Sequence, residues 1–86
     1  MTSSSPAWEH VDSSNVERVA YDDNSHTLCV KFRSGGLYTY SGVDRENYLH
    51  FIGAESVGRY LNNVIKATHP YQRHNTEAEL EAFLKK

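Results

Sequence analysis

Residues 27–40 read Thr-Leu-Cys-Val-Lys-Phe-Arg-Ser-Gly-Gly-Leu-Tyr-Thr-Tyr, and they carry the clearest structural pattern in the chain. Residues 27–33 carry Leu, Val and Phe at every second position, and a second short run with β character follows at residues 37–40. A period of two is typical of β-strands, because successive side chains point to opposite faces of a sheet. The Ser-Gly-Gly between the runs favours a turn. The stretch therefore predicts a β-hairpin.

Tyr38 and Tyr40 share one face of the second strand, and the length of the loop decides which face that is. A three-residue loop, with Gly36 at positive φ, places both rings on the apolar face, opposite Phe32 and Val30. A two-residue loop places them on the solvent face as stacking platforms. We favour the first register because it places the aromatic rings in the core, beneath the helices that the later sequence predicts. That register turns outward a mostly polar set, which comprises Cys29, Lys31, Arg33, Leu37 and Thr39.

The segments on both sides of the hairpin complete the predicted fold. Residues 16–21 form a further strand, which ends in the turn-forming run at residues 22–25. After the hairpin the apolar spacing changes to three and four, and Asp44 and Ser56 are suited to cap two helices. Residues 76–79 read Thr-Glu-Ala-Glu, a capping box that begins a third helix.

The predicted order is three strands followed by three helices. This order predicts an α+β fold, in which a three-stranded antiparallel β-meander is followed by two packed helices on one face and by an appended C-terminal helix. The apolar stripes comprise Tyr48, Phe51 and Ile52 in the first helix, Val57, Tyr60, Leu61 and Val64 in the second, and Leu80, Phe83 and Leu84 in the third.

Length and charge restrict the kinds of function that fit. A chain of 86 residues predicts one domain, which we divide into a flexible leader at 1–9, the domain at 10–74 and the appended helix at 75–86. A chain this short buries only about 60–65% of its unfolded surface, which argues against a deep, enclosed active site. The formal net charge of −2 excludes a generally basic, nucleic-acid-coating protein, so a site for a polyanion must be local.

The composition also predicts the compartment and the absence of catalysis. A single cysteine, Cys29, forms no internal disulfide, and no signal peptide or membrane-spanning run is present, so we expect a cytoplasmic protein with Cys29 as an inert thiol. His69 and His74 have a ligand-like separation, but the sequence shows no further ligands to complete a metal site. No nucleophile with a base and no phosphate loop is recognisable. We expect a non-enzymatic protein without metal or cofactor and without a small-molecule substrate.

The one charge asymmetry lies in residues 56–74, which contain Arg59, Lys66 and Arg73 and no acid. Cations hold phosphates and aromatic rings stack on bases, so this composition predicts a site for single-stranded nucleic acid. Tyr71, expected in the loop after Pro70, is the candidate stacking residue. A solvated helix face followed by a linker accounts for the same composition, and both interpretations stay open.

Asn62 and Asn63 are unusual inside a helix, because their amides compete for backbone hydrogen bonds. We expect one of them to connect the helix to a neighbouring loop. The alternative for Asn62 is base recognition, and it is included with the three cations and Tyr71 in the candidate site.

The motifs in order resemble those of the KTSC domain family. The resemblance covers about residues 10–73, and its specific parts are Tyr-Thr-Tyr at 38–40 and Ser-Val-Gly-Arg-Tyr-Leu-Asn at 56–62. The family is named for its occurrence at the C-terminus of some lysyl-tRNA synthetases, and it also occurs as a stand-alone bacterial or phage-type protein. The resemblance implies RNA, tRNA-like or single-stranded, as the first partner. Asp44 stands where the family often has proline, and both residues begin helices.

A second class of function is a protein-interaction or homodimerisation module. Trp8 and the C-terminal helix, with Phe83 and Leu84, would form its apolar contact surface. The two classes differ in salt dependence, because nucleic-acid binding releases condensed counterions and burial of apolar surface does not.

Overall fold

An antiparallel sheet of five strands forms the centre of the protein in a computed structural model, which describes residues 8–11 and 13–84. The strands lie in chain order and are β1 (Glu9–His10), β2 (Val16–Asp22), β3 (Thr27–Phe32), β4 (Leu37–Ser41) and β5 (Tyr71–His74). The predicted α+β class and the three central strands are confirmed. The predicted count of three strands is wrong, because β1 and β5 add one edge strand on each side. Residues 1–7 of the predicted leader lie outside the described residues.

The hairpin between β3 and β4 has a three-residue loop, but the loop begins one residue earlier than predicted. The amide of Phe32 donates to the carbonyl of Gly36, and the amide of Gly35 donates to the carbonyl of Phe32, both at 2.9 Å. The loop is therefore residues 33–35. Gly35, at φ +102°, takes the left-handed position that the sequence assigned to Gly36.

This loop shifts the strand register without changing the faces. Tyr38 pairs with Val30 and Tyr40 with Leu28, so the predicted pairings are wrong by two residues. A shift of two leaves every side chain on its own face. The two tyrosines therefore lie on the apolar face, as predicted.

The helices begin at the predicted caps. They are α1 (Arg45–Ile52), α2 (Val57–Tyr60), α3 (Lys66–Thr68) and α4 (Glu77–Leu84), and a π-helical turn (Leu61–Ile65) joins α2 to α3 into one continuous segment, here called the central helix. Asp44 accepts a hydrogen bond from the amide of Asn47 at 2.8 Å. The hydroxyls of Ser56 and Thr76 accept from the amides three residues later, at 3.3 and 3.1 Å.

The π-helical turn changes which side of the central helix is buried. The buried residues are Val57, Leu61 and Ile65, whereas Val64, predicted to be on the apolar stripe, is 36% exposed. The amide of Lys66 donates to the carbonyl of Leu61, five residues back. The wider turn moves the apolar row to a spacing of four, so the predicted stripe is wrong at its end.

The first core lies between one face of the sheet and the helices α1 and the central helix. Its fully or nearly fully buried members are Val16, Val19, Leu28, Val30, Tyr40, Val43, Phe51, Val57, Leu61 and Ile65. This is the layer that the hairpin pattern predicts.

The opposite face of the sheet is also covered, which the sequence interpretation missed. Cys29, Leu37 and Thr39 were expected in solvent, and all three are buried. Leu80 of α4 is fully buried against Cys29, Leu37 and Ala20, and these four residues form the second core. The appended helix is thus a second layer, because β5 returns the chain to the sheet edge and directs α4 across this face. Burial raises the pKa of the Cys29 thiol to about 12, consistent with the inert thiol that we expected.

An ionic cluster holds α4 to the sheet. The carboxylate of Glu77 lies 3.5 Å from the ammonium of Lys31 and 3.6 Å from the guanidinium of Arg18. Arg18 also lies over the ring of Trp8, at 5.6 Å from the ring centroid.

Within the described part of the chain, no helix has the length and apolar character needed to cross a membrane.

Candidate nucleic-acid interface

Four of the five predicted site residues line one groove. Asn62 and Lys66 of the central helix form one wall, and Tyr71 and Arg73 of β5 form the other. The groove has a volume of about 640 Å³, and residues 34–36 of the β3–β4 hairpin also line it. The fifth predicted residue, Arg59, lies outside the groove and lines a neighbouring depression.

Strand β5 positions Tyr71 and Arg73. The strand pairs with β4 so that Tyr71 lies opposite Tyr40 and Arg73 opposite Tyr38. The prediction that Tyr71 lies in a loop is therefore wrong. The carbonyl of Pro70 accepts a hydrogen bond from the amide of Ser41 at 2.9 Å, which starts the pairing. Because Tyr71 and Arg73 are two residues apart on a strand, their side chains share one face.

A set of packed aromatic rings forms the floor of the groove. The centroid of the Tyr71 ring lies 5.9 Å from the centroids of both Tyr38 and Tyr40. Phe32 packs edge-on against Tyr38 at 5.4 Å. Tyr40 is 3% exposed and Tyr71 is 52% exposed. The array thus presents the exposed ring of Tyr71, which is supported by the buried ring of Tyr40 and the partly buried ring of Tyr38.

The same environment keeps the Tyr40 phenol uncharged. Burial raises its pKa to about 12, and the neighbouring phenols of Tyr38 and Tyr71 contribute in the same direction. The raised pKa matters only in alkaline solution, because a phenol with the ordinary pKa of about 10 is already uncharged at neutral pH.

The groove is positively charged. The ammonium of Lys66 lies 5.8 Å from the centroid of the Tyr71 ring, within the range of a cation–π contact. Neither Lys66 nor Arg73 forms an ion pair with another described residue, whereas Arg18, Lys31 and Arg45 are all paired. No Asp or Glu lines the groove in the described part of the chain. Two cations are thus available to an anionic ligand.

Asn62 and Asn63 lie in the π-helical turn and are both exposed. Their side chains form no hydrogen bond with the rest of the described chain, so the expectation that one of them connects the helix to a loop is wrong. Asn62 lines both the groove and the neighbouring depression. Its amide is therefore available to a ligand.

The surface expected for protein interaction is used within the chain. Trp8 and Leu84 pack against the second core, and the ring of Phe83 lies 5.1 Å from that of His74. His74 is itself buried, and its Nε2 lies 2.9 Å from the hydroxyl of Thr39. These contacts bury the three apolar side chains only in part, and the protein-interaction role stays a prediction.

Fold and groove together define a small α+β protein that carries an aromatic, basic groove at one edge of its sheet. The family model of the KTSC domain matches residues 12–69. The chain therefore belongs to the KTSC domain family. Of the groove residues, Asn62 and Lys66 lie within the matched range, and Tyr71 and Arg73 follow it. The association with lysyl-tRNA synthetases, which the resemblance implies, stays a prediction.

Relatives and a solved structure agree with this membership. A protein of Tsukamurella paurometabola is 36% identical over 56 residues, which cover 65% of this chain and 84% of the relative. An uncharacterized protein of Stutzerimonas stutzeri is 37% identical over 59 residues, covering 69% of this chain and 83% of the relative. The crystal structure of a KTSC domain protein from Yersinia pestis has a TM-score of 0.75 at 31% identity, covering 79% of this chain and 96% of that one.

Proposed function

We propose that this KTSC domain protein is a non-catalytic module that binds single-stranded nucleic acid, with RNA as its first ligand, in the groove between β5 and the central helix. One observation carries the proposal. The exposed ring of Tyr71 lies in a groove that also contains Lys66 and Arg73, two cations without ion-pair partners in the described chain. A base stacks on such a ring while the cations hold the adjacent phosphates.

The supported ring favours single strands over duplexes. Stacking on an aromatic side chain is worth about 1–3 kcal/mol per base and requires a base that is not already stacked in a helix. Tyr71 is ordered by its contacts with Tyr38 and Tyr40, so little side-chain entropy is lost when a base binds. A duplex would offer phosphates to the cations but no free base to the ring.

The test is a titration of the isotopically labelled protein with short homopolymeric RNA, followed through amide chemical shifts. We expect shifts concentrated in β5 and in the central helix, and affinity that falls steeply with salt. A duplex of the same length should bind more weakly. The absence of any shift at low salt, with the protein folded and concentrated, would contradict the proposal.

The charge variant for this test has a matched control. Lys66→Gln removes a cation of the groove, and Arg45→Gln removes an exposed cation whose partner is Asp23, outside the groove. We expect only the first to weaken RNA binding. Equal losses in both variants would show attraction to the overall charge of the protein instead of a site.

A further inference from the structure

The groove does not end at Asn62. A second depression of about 480 Å³ lies on the other side of this residue, between the central helix and the loop at residues 13–15. Asn62 lines both spaces. The two depressions are therefore adjacent, and Asn62 lies between them.

Three polar side chains of the central helix line the two depressions. Arg59 lines the second depression, Asn62 lines both and Lys66 lines the groove. Asn62 and Lys66 lie four residues apart across the widened π-helical turn, and Arg59 lies on the turn before Asn62. Seven residues at about 1.5 Å each place Lys66 roughly 10 Å along the helix axis from Arg59. That length spans about three nucleotides, at the ~3.4 Å axial spacing of successive phosphates on one strand.

The second depression differs from the groove in its chemistry. Hydroxyl and amide side chains line it and no aromatic ring does, among the described residues. The side-chain amides of Asn15 and Asn63 form no hydrogen bond within the described chain. Such groups bind sugar hydroxyls and the polar edges of bases, and they offer no surface for stacking. Arg59, which has no ion-pair partner among the described residues, adds one cation.

We infer that the ligand is a single RNA strand about three nucleotides long, which runs from the Tyr71 groove past Asn62 into the polar depression beside Arg59. The inference rests on the proposed function and extends it. One nucleotide stacks on Tyr71 between Lys66 and Arg73. The next passes Asn62, and the third places its ribose and base edge among the amides of the second depression, where its 2′-hydroxyl distinguishes RNA from DNA.

Glu55 lines the second depression, so only a strand that reaches this depression meets its carboxylate. It is the one carboxylate that lines either depression, among the described residues. Its charge opposes a phosphate there, so it weakens the binding of any strand long enough to reach the second depression. A strand confined to the groove does not meet it.

The test is a length series of oligouridylates, from the mononucleotide to the tetranucleotide, titrated into the full chain. We expect affinity to rise up to the trinucleotide and then to level off. Arg59→Gln should weaken the trinucleotide by about threefold, the size of one exposed ion pair, and leave the mononucleotide unchanged. Glu55→Gln should strengthen the trinucleotide by about twofold on the same basis. Lys66→Gln should weaken both lengths, and Arg45→Gln neither.

The outcomes separate the two proposals. If affinity levels off at the mononucleotide and Arg59→Gln changes nothing, the site is confined to the groove, which overturns this inference and leaves the proposed function standing. If no oligonucleotide of any length binds, both are overturned. Equal affinity for the trideoxynucleotide of matched sequence would overturn the assignment of the ribose to the second depression. Thermal unfolding of each variant excludes loss of the fold as the cause.

Discussion

The ring of Tyr71 lies 5.9 Å, centroid to centroid, from the ring of Tyr40, its partner across the ladder between β4 and β5. The two rings differ sharply in accessibility, since Tyr40 is buried in the first core and Tyr71 is half exposed. The pair therefore connects the core to the surface. A base that stacks on Tyr71 meets a ring whose position is fixed by the packing beneath it.

Tyr71→Ala should weaken RNA binding by about 1–3 kcal/mol, because it removes the stacking surface. The dependence of affinity on salt should not change, since no cation is lost. Tyr71→Phe keeps the ring and should bind like the unchanged protein. Titration at several salt concentrations measures both quantities. A Tyr71→Ala variant with unchanged affinity would show that the exposed ring is not the stacking platform.

The double variant Lys66→Gln with Arg73→Gln should lower the salt dependence. Each phosphate contact with a single strand releases about 0.7 of a counterion, so the loss of two contacts should reduce the slope of log K against log salt by roughly 1.4. Because phosphates carry no sequence information, RNAs of unrelated sequence should weaken equally. An unchanged slope would place the phosphates elsewhere on the protein.

Tyr40→Ala should reduce the free energy of unfolding by about 2–4 kcal/mol, as large-to-small changes in a core do. The raised pKa of Tyr40, about 12, adds a pH dependence. The unfolded phenol titrates near 10, so the contribution of neutral Tyr40 is complete below about pH 10 and is lost between pH 10 and 12. Tyr40→Phe removes this part of the alkaline loss, and the raised pKa values of Cys29, Tyr21 and Tyr48 leave the rest. Denaturant unfolding at pH 8 and above, for both variants, is the measurement.

His74 should make the protein less stable in acid. Burial against α4 lowers its pKa below the usual 6.5, and the carboxylate of Glu79 opposes this only in part. The neutral form is therefore favoured in the fold, and its stabilising contribution is complete above pH 6.5 and is lost as the pH falls. His74→Gln should flatten the profile of stability as the pH falls below 6.5. His50→Gln, at an exposed position on α1, is the control. If both variants lose as much stability in acid as the unchanged protein, another group is responsible.

Leu80→Ala should destabilise the protein by about 2–5 kcal/mol, because Leu80 is fully buried between α4 and the sheet. Leu49→Ala is the matched control, since Leu49 is 52% exposed and should cost far less. The loosened helix should also make the Cys29 thiol react faster with a thiol reagent. Similar costs for the two substitutions would show that α4 does not cover the second face.

Removal of residues 76–86 should destabilise the fold for the same reason, and this revises the view of α4 as an appendage.

The features that the sequence predicts correctly are local ones. The caps at Asp44, Ser56 and Thr76 depend on contacts between residues three positions apart. The faces of Tyr38 and Tyr40 follow from alternation, and a register shift of two preserves them. A slip of one residue would have turned both rings to the other face of the sheet, and only the loop geometry excludes it.

Strand β5 is not predictable from the sequence, because it lacks a local signal. Tyr-Gln-Arg-His shows no alternation of apolar residues, and three of its four side chains are exposed. Its pairing with β4 connects segments far apart in the chain. The same pairing directs α4 over Cys29 and Leu37, so the second core was missed for the same reason. The π-helical turn, which exposes Val64, likewise has no recognised pattern in the sequence.

The residues of the candidate site are recognisable in the sequence as a run without acids that contains Arg59, Asn62, Lys66, Tyr71 and Arg73. Their grouping depends on the fold. It brought four of them to one groove, assigned Arg59 to the adjoining depression and supplied Tyr38 and Tyr40 as the floor. Charge and ring chemistry belong to each side chain and are read directly from the sequence. Proximity across the sheet instead depends on hydrogen-bond pairing and burial between segments far apart in the chain, which a local sequence pattern does not predict.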